Sequence, residues 1–148
     1  MVRPNSIVWF ERLYLGAWLV GLISLGVNWG TTQAALEPAT KMLGSGAITN
    51  MVIAGVAIGA LITFVLWYFV ARQGAVVAKW IVVVLFVLSL LGIPGTIRMF
   101  SNGQALRGLF QVVVFLMQAG AVVMLFRPDS RVWFGEIRDE PPANDIFS

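Results

Sequence analysis

The chain has 148 residues, of which 59% are hydrophobic and 11% charged, with a mean hydropathy of +0.86. A soluble domain is on average about 45–50% apolar and about 25% charged, so there is too little charge here to cover a closed, solvated surface. The lack of cysteine and histidine excludes disulfides, thiolate and His-ligated metal or haem sites, and every Ser–His–Asp or Cys–His catalytic arrangement.

Four apolar segments follow one another, at about 7–29, 50–71, 79–97 and 108–126. A helix needs about 20 residues to cross the hydrocarbon core, and all four reach that length. The run Ile81-Val82-Val83-Val84-Leu85-Phe86-Val87-Leu88 shows none of the alternation that a barrel strand requires. The pattern predicts an all-α membrane protein. Residues 1–134 are expected to form an antiparallel four-transmembrane-helix bundle, with an acidic, Pro-containing tail over 135–148.

The first span begins behind Arg3-Pro4-Asn5-Ser6. Basic residues, an apolar run and Ala34-Ala35 resemble a signal peptide, but the segment is expected to stay as a retained helix. Within it Ala17, Gly21, Ser24 and Asn28 are spaced four, three and four apart, which places them on one helix face. The loop from Gly30 to Thr49 is expected to hold a short interfacial helix, broken by Pro38 and ending at Gly44-Ser45-Gly46. The second span carries Gly55 and Gly59 as a GxxxG, continued by Thr63, with Asn50 on an adjacent line. Small residues of this kind let helix backbones approach closely, so Ala17, Gly21, Gly55 and Gly59 are the candidate packing residues.

The short loop Arg72 to Lys79 makes spans two and three a hairpin. The β-branched first half of span three is the candidate for lipid exposure. Pro94 is expected to end that helix, since proline removes a helix hydrogen bond. Ser101-Asn102-Gly103 signals the next turn. The fourth span carries Gln111 and Gln118 on one face. With antiparallel neighbours, Asn28, Asn50, Thr96 and Gln111 fall in the outer half of the bilayer, with Ser24 and Gln118 nearer its midplane. These six residues either form a polar cluster or act as hydrogen-bonded glue between helices.

Charge placement predicts orientation. Seven basic residues (Arg3, Arg12, Arg72, Lys79, Arg127, Arg131 and Arg138) flank one side of the spans, and three (Lys41, Arg98 and Arg107) the other. This asymmetry puts both termini in the cytoplasm. Trp9, Trp67, Tyr68, Trp80 and Trp133 fall at the inner interface and Trp29 at the outer one; Trp18 alone lies inside the bilayer. The net charge of +3 and pI near 10 are thereby accounted for by topology, and no nucleic-acid partner is expected.

Arg3-Pro4-Asn5-Ser6-Ile7-Val8-Trp9-Phe10 recurs as Arg127-Pro128-Asp129-Ser130-Arg131-Val132-Trp133-Phe134, with six of eight positions identical. Each copy places Arg at the headgroups, a helix-starting Pro, and Trp-Phe at the interface. Arg3, Trp9, Phe10, Arg127, Trp133 and Phe134 are therefore the candidate interfacial anchors. The pair reads as a docking element or as two independent anchors on one membrane face.

With the uninterrupted apolar run of the first span taken from about Leu13, none of the seven carboxylates falls inside an apolar run, and proton-coupled transport normally uses an intramembrane ionisable group. Glu11 lies closest and is expected to pair with Arg12, Arg131 or Lys79. No catalytic, metal or cofactor residue is assigned.

The segments Arg3–Ile7, Phe10–Gly16, Leu66–Arg72, Ala78–Ile81 and Leu125–Pro128 resemble small four-helix bacterial inner-membrane proteins that carry no assigned activity. That resemblance implies the topology and a bacterial inner membrane. Two functions follow as expectations. The first is a non-enzymatic protein that acts in the lipid bilayer by association, as a homo-oligomer or as an accessory subunit with a membrane-protein partner. The second is a small channel or carrier for a solute or lipid, built on the outer polar cluster.

Overall fold

The computed structural model describes residues 3–136. Seven helices follow in order: α1 (Asn5–Val27), α2 (Trp29–Leu43), α3 (Ser45–Gln73), α4 (Val76–Leu90), α5 (Ile93–Ser101), α6 (Ala105–Leu125) and α7 (Pro128–Trp133). No strand occurs among the described residues. Four stretches are long and apolar enough to cross a membrane: Asn5–Val27, Ser45–Gln73, Val76–Ser101 and Ala105–Leu125. The chain is therefore read as a membrane protein with four candidate transmembrane helices. The acidic tail expected over 135–148 begins inside the structure at Gly135 and Glu136; its remainder lies outside the described residues, as does Arg138.

Helix boundaries follow local chemistry. Pro4 precedes α1 in an extended conformation (φ −66°, ψ 151°), the geometry from which a chain enters a helix. At the other end, Asn28 Nδ2 donates to the Ser24 carbonyl at 2.9 Å, a second bond to an acceptor that already takes the Asn28 backbone N–H at 3.0 Å. α2 is continuous through Pro38, where a break was expected. No residue of α2 is buried, so the ring has open space around it, and Thr40 two residues on donates its hydroxyl to the Leu36 carbonyl. The helix stops at Gly44, whose φ of 85° suits a residue without Cβ.

α3 starts at Ser45, five residues before the expected Asn50. Weakly polar Ser45, Thr49 and Asn50 interrupt the hydropathy but not the helix, and Thr49 donates its hydroxyl back to the Ser45 carbonyl. Pro94 also behaves differently from expectation. It does not end the span: the helix is interrupted at Leu91–Gly92 and resumes as α5 with Pro94 in its first turn, the position where a missing N–H costs least. α3 and the first half of α4 are both largely exposed, with Trp80, Ile81, Val84, Leu85, Val87 and Leu88 of α4 among the exposed apolar residues. Only 6% of the most apolar stretch of α3 is buried, against 17% for Val76–Ser101.

The most extensive helix packing is between α1 and α6. Glycine makes it close: a Cβ at Gly16 would lie 2.7 Å from the Met117 Cε, and one at Gly120 3.1 Å from the Leu13 Cδ1. The core is built at one end of the bundle. Ile7 and Phe10 of α1, Leu66, Val70 and Ala71 of α3, Ala78 and Val82 of α4, Ala121 and Leu125 of α6, and Phe134 are all buried and packed together. This is the end at which residues 3 and 136 lie, called here the terminal end. The distal halves of α1 and α3 contribute no residue to that core.

Candidate functional site

The repeated motif builds the terminal end. Its two copies meet through their fourth residues: the Ser6 and Ser130 hydroxyls share a hydrogen bond of 2.6 Å, and both residues are fully buried. Ser130 Oγ also lies 2.6 Å from the Met124 carbonyl, to which it donates. The Ser6 backbone N–H donates to Asp129 Oδ2 at 3.3 Å. The Ser6 side chain and this amide together hold the Asp129 carboxyl below the usual carboxylate range.

The six anchors divide by role. Phe10 and Phe134 are core residues rather than interfacial ones. Trp9 is half exposed, with the Arg12 guanidinium over its ring at 5.6 Å. Trp133 is turned inward and donates Nε1–H to the Val70 carbonyl at 3.1 Å, capping the end of α3. Arg3 pairs with Glu11 at 3.0 Å, so Glu11 has a different partner from the three expected. One helical copy of the motif brings Arg3 back over its own first turns, whereas Lys79 is already taken. Arg127 precedes α7 in the same extended conformation as Pro4 before α1, with φ −66° and ψ 152°.

Lys79, a loop cation by its place in the sequence pattern, is 1% exposed in the first turn of α4. Its Nζ lies 2.8 Å from Glu136 Oε1 and sits over the Phe126 and Phe134 rings at 4.6 and 5.0 Å. A buried ammonium persists only when such partners replace water. Glu136 therefore anchors the segment after α7 to the bundle. Nothing in the spacing of Lys79 distinguishes it from the other flanking cations.

In the distal half the predicted small-residue faces do not close. A Cβ added at Gly21, Gly55 or Gly59 would meet nothing within 4 Å. These glycines line a cleft of about 460 Å³ between α1, α3 and α6, with Ala17 and Trp18 on one wall, Val52 and Val56 on the other, and Val114 and Gln118 of α6. Ala17 is buried at its inner end. Beside the cleft lies a crevice of about 250 Å³, lined by Tyr14 and Trp18 of α1, Thr63 of α3, Phe86 and Ser89 of α4, and Gln118 of α6. Trp18, Gly59 and Gln118 border both spaces.

The six polar candidates are not gathered. Among the described residues no side-chain to side-chain hydrogen bond joins any two of Ser24, Asn28, Asn50, Thr96, Gln111 and Gln118, and only Asn28 reaches another of them, through the Ser24 backbone carbonyl. Asn28 bonds to a carbonyl of its own helix, as does Thr96 to Gly92 at 3.2 Å. Asn50 is exposed and Gln111 half-buried. Only Gln118 reaches a polar partner on another helix, the Ser89 hydroxyl at 3.5 Å. Tyr14, Thr63 and Ser89, which complete the crevice, were not grouped by sequence spacing, because they come from three helices whose rotation about their axes the spacing leaves open.

Among the described residues, no group of three or more carboxylate, cysteine or histidine side chains could hold a metal ion. The fold and site thus define an all-helical protein with four membrane-crossing candidates, a closed terminal end and an open distal half. No family model matches the chain, and no curated protein or solved structure is similar to it.

Proposed function

We propose that this protein is a non-enzymatic, integral inner-membrane protein of a bacterium that acts by association, with a partner helix seated in the distal cleft between α1 and α3. The partner is a second copy or a subunit of a larger membrane complex. In this reading the bundle is antiparallel, both termini face the cytoplasm, and the cleft opens in the outer half of the bilayer; the seven-to-three excess of flanking basic residues supports that orientation.

One observation carries the reading. Gly21, Gly55 and Gly59 face open space while the terminal half of the same helices is closely packed. Without a hydrophobic force between helices in lipid, association depends on close backbone approach at small residues. Here that surface is left unused by the chain's own helices. The channel or carrier reading needs its polar residues assembled, and they are dispersed.

A photo-crosslinking residue at position 55, in the full chain in native membranes, tests this. Protein adducts are expected from position 55 and not from Val84 of α4, which is 54% exposed and lies outside the cleft. Lipid adducts alone from both positions would reject the proposal. Adduct mass distinguishes a second copy from another subunit. For orientation, a cysteine placed in the 30–49 loop of this cysteine-free chain is expected to react with an impermeant reagent from outside.

A further inference from the structure

The crevice beside the cleft has chemistry of its own. Its walls are aromatic: Tyr14, Trp18 and Phe86. No charged side chain lines it. Its one long polar side chain is Gln118, whose only hydrogen-bond partner is the Ser89 hydroxyl at 3.5 Å. Ser89 spends its single proton on the Phe86 carbonyl at 2.6 Å. Whichever way round the Gln118 amide is placed, at least one of its two N–H donors therefore has no protein partner among the described residues.

An N–H donor left without an acceptor inside a bilayer is costly. Gln118 lies seven residues before the end of α6 and Ser89 thirteen residues after the start of α4, which is roughly 10–20 Å from the terminal end at ~1.5 Å per residue. That depth is within the hydrocarbon. Ile62 of α3 and Leu85 of α4 also line the crevice and are 47% and 42% exposed, which leaves the crevice open between these two helices.

We propose that this crevice binds a neutral, membrane-soluble molecule whose head is a flat ring bearing a carbonyl acceptor, the chemistry of a prenylated quinone. The carbonyl oxygen accepts from the Gln118 N–H. The ring lies among Tyr14, Trp18 and Phe86, where offset or edge-on aromatic packing is favourable. The apolar tail leaves between Ile62 and Leu85 into lipid. Fatty acids and phospholipids are the wrong class, because no cation is present to compensate an anionic head at this depth. A volume of about 250 Å³ suits one substituted ring and not a larger head. The crevice shares Trp18, Gly59 and Gln118 with the distal cleft, so a partner helix seated in the cleft would form part of its wall.

The test is equilibrium binding to the full chain in lipid nanodiscs, with empty nanodiscs subtracted, using decylubiquinone, decanol and decanoic acid as probes. Saturable binding of the quinone is expected, with the alcohol and the acid each weaker by roughly tenfold or more, the scale of one hydrogen bond. Gln118→Met keeps the side-chain length, removes the donor and weakens quinone binding by a similar factor; Gln111→Met on the same helix leaves it unchanged. Leu85→Trp narrows the mouth from the lipid side without touching the core, and reduces binding even if Gln118→Met proves poorly folded. Non-saturable uptake, equal binding of decanoic acid, or saturable binding indifferent to Gln118→Met or Leu85→Trp would each overturn the proposal.

Discussion

The hydroxyls of Ser6 and Ser130 meet at 2.6 Å although the residues stand 124 positions apart. They occupy the same place in the two copies of the terminal motif, so the repeat is a contact of the chain with itself. The two copies form a clasp that closes one end of the helix bundle. The clasp joins the start of α1 to α7, and through Trp133 to the end of α3.

Ser130→Ala is expected to destabilise the protein by about 1–3 kcal/mol, because it leaves the Met124 carbonyl without its buried hydroxyl donor and breaks the contact with Ser6. Ser6→Ala costs less, since Ser130 keeps the carbonyl. The double variant is expected to cost less than the sum of the two, the signature of residues in direct contact. Unfolding midpoints in a fixed detergent, compared across the four proteins, measure this coupling. Strict additivity would mean that the hydroxyls do not support each other.

Asp129 gives the clasp a pH dependence. The Ser6 side chain and amide lower its pKa in the folded protein, so the native state favours the ionised carboxyl. Its stabilisation is present above the unfolded-state value, near 3.9 for Asp, and is lost as pH falls through the lower folded value. Asp129→Asn should therefore be less stable than the parent at pH 7, and the gap should close under acid. Thermal unfolding between pH 3 and 7 reads the difference directly. A constant gap across that range would dissociate Asp129 ionisation from the clasp.

The Lys79–Glu136 pair makes an asymmetric prediction. Glu136→Ala leaves the buried ammonium with only Arg131-side solvent and two aromatic rings, and should cost about 3 kcal/mol. Lys79→Met replaces a buried charge by an apolar chain of similar length and should cost less, since Glu136 is 27% exposed and retains Arg131 at 3.8 Å. Chemical unfolding of both variants tests the order. If Lys79→Met is the more damaging, the ammonium contributes more through Phe126 and Phe134 than through the carboxylate.

Two glycines of α3 and its turn should respond oppositely to alanine. Gly74 has φ +60°, and a Cβ there would sit 2.7 Å from the Trp133 carbonyl oxygen. Gly74→Ala is expected to cost at least about 2 kcal/mol, from the left-handed conformation and displacement of a backbone atom. Gly55→Ala meets open space and should be neutral, or stabilising by about 0.5 kcal/mol through helix propensity. Stability and oligomeric state measured on the same samples separate the effects: Gly55 substitutions are expected to alter association and spare the fold.

The sequence by itself determined the four membrane-length helices, because apolar length is a one-dimensional property that the bilayer reads directly. It also exposed the terminal repeat, through identity of six positions in eight. It did not reveal that the two copies bond to each other, since each copy satisfies the rules for an interfacial anchor alone. Phe10 and Phe134 accordingly read as interfacial and proved to be core. The polar residues show the same limit. Asn28, Asn50, Thr96 and Gln111 share a depth on paper, with Ser24 and Gln118 nearer the midplane, but depth fixes only one coordinate of a helical side chain; rotation about the helix axis fixes the other. That rotation is decided by packing, here by the close approach of α1 and α6 at Gly16 and Gly120. It turned Gln118 toward Ser89 and left Asn50 exposed. It also left Gly21, Gly55 and Gly59 lining a cleft, because small residues permit a close crossing without requiring one.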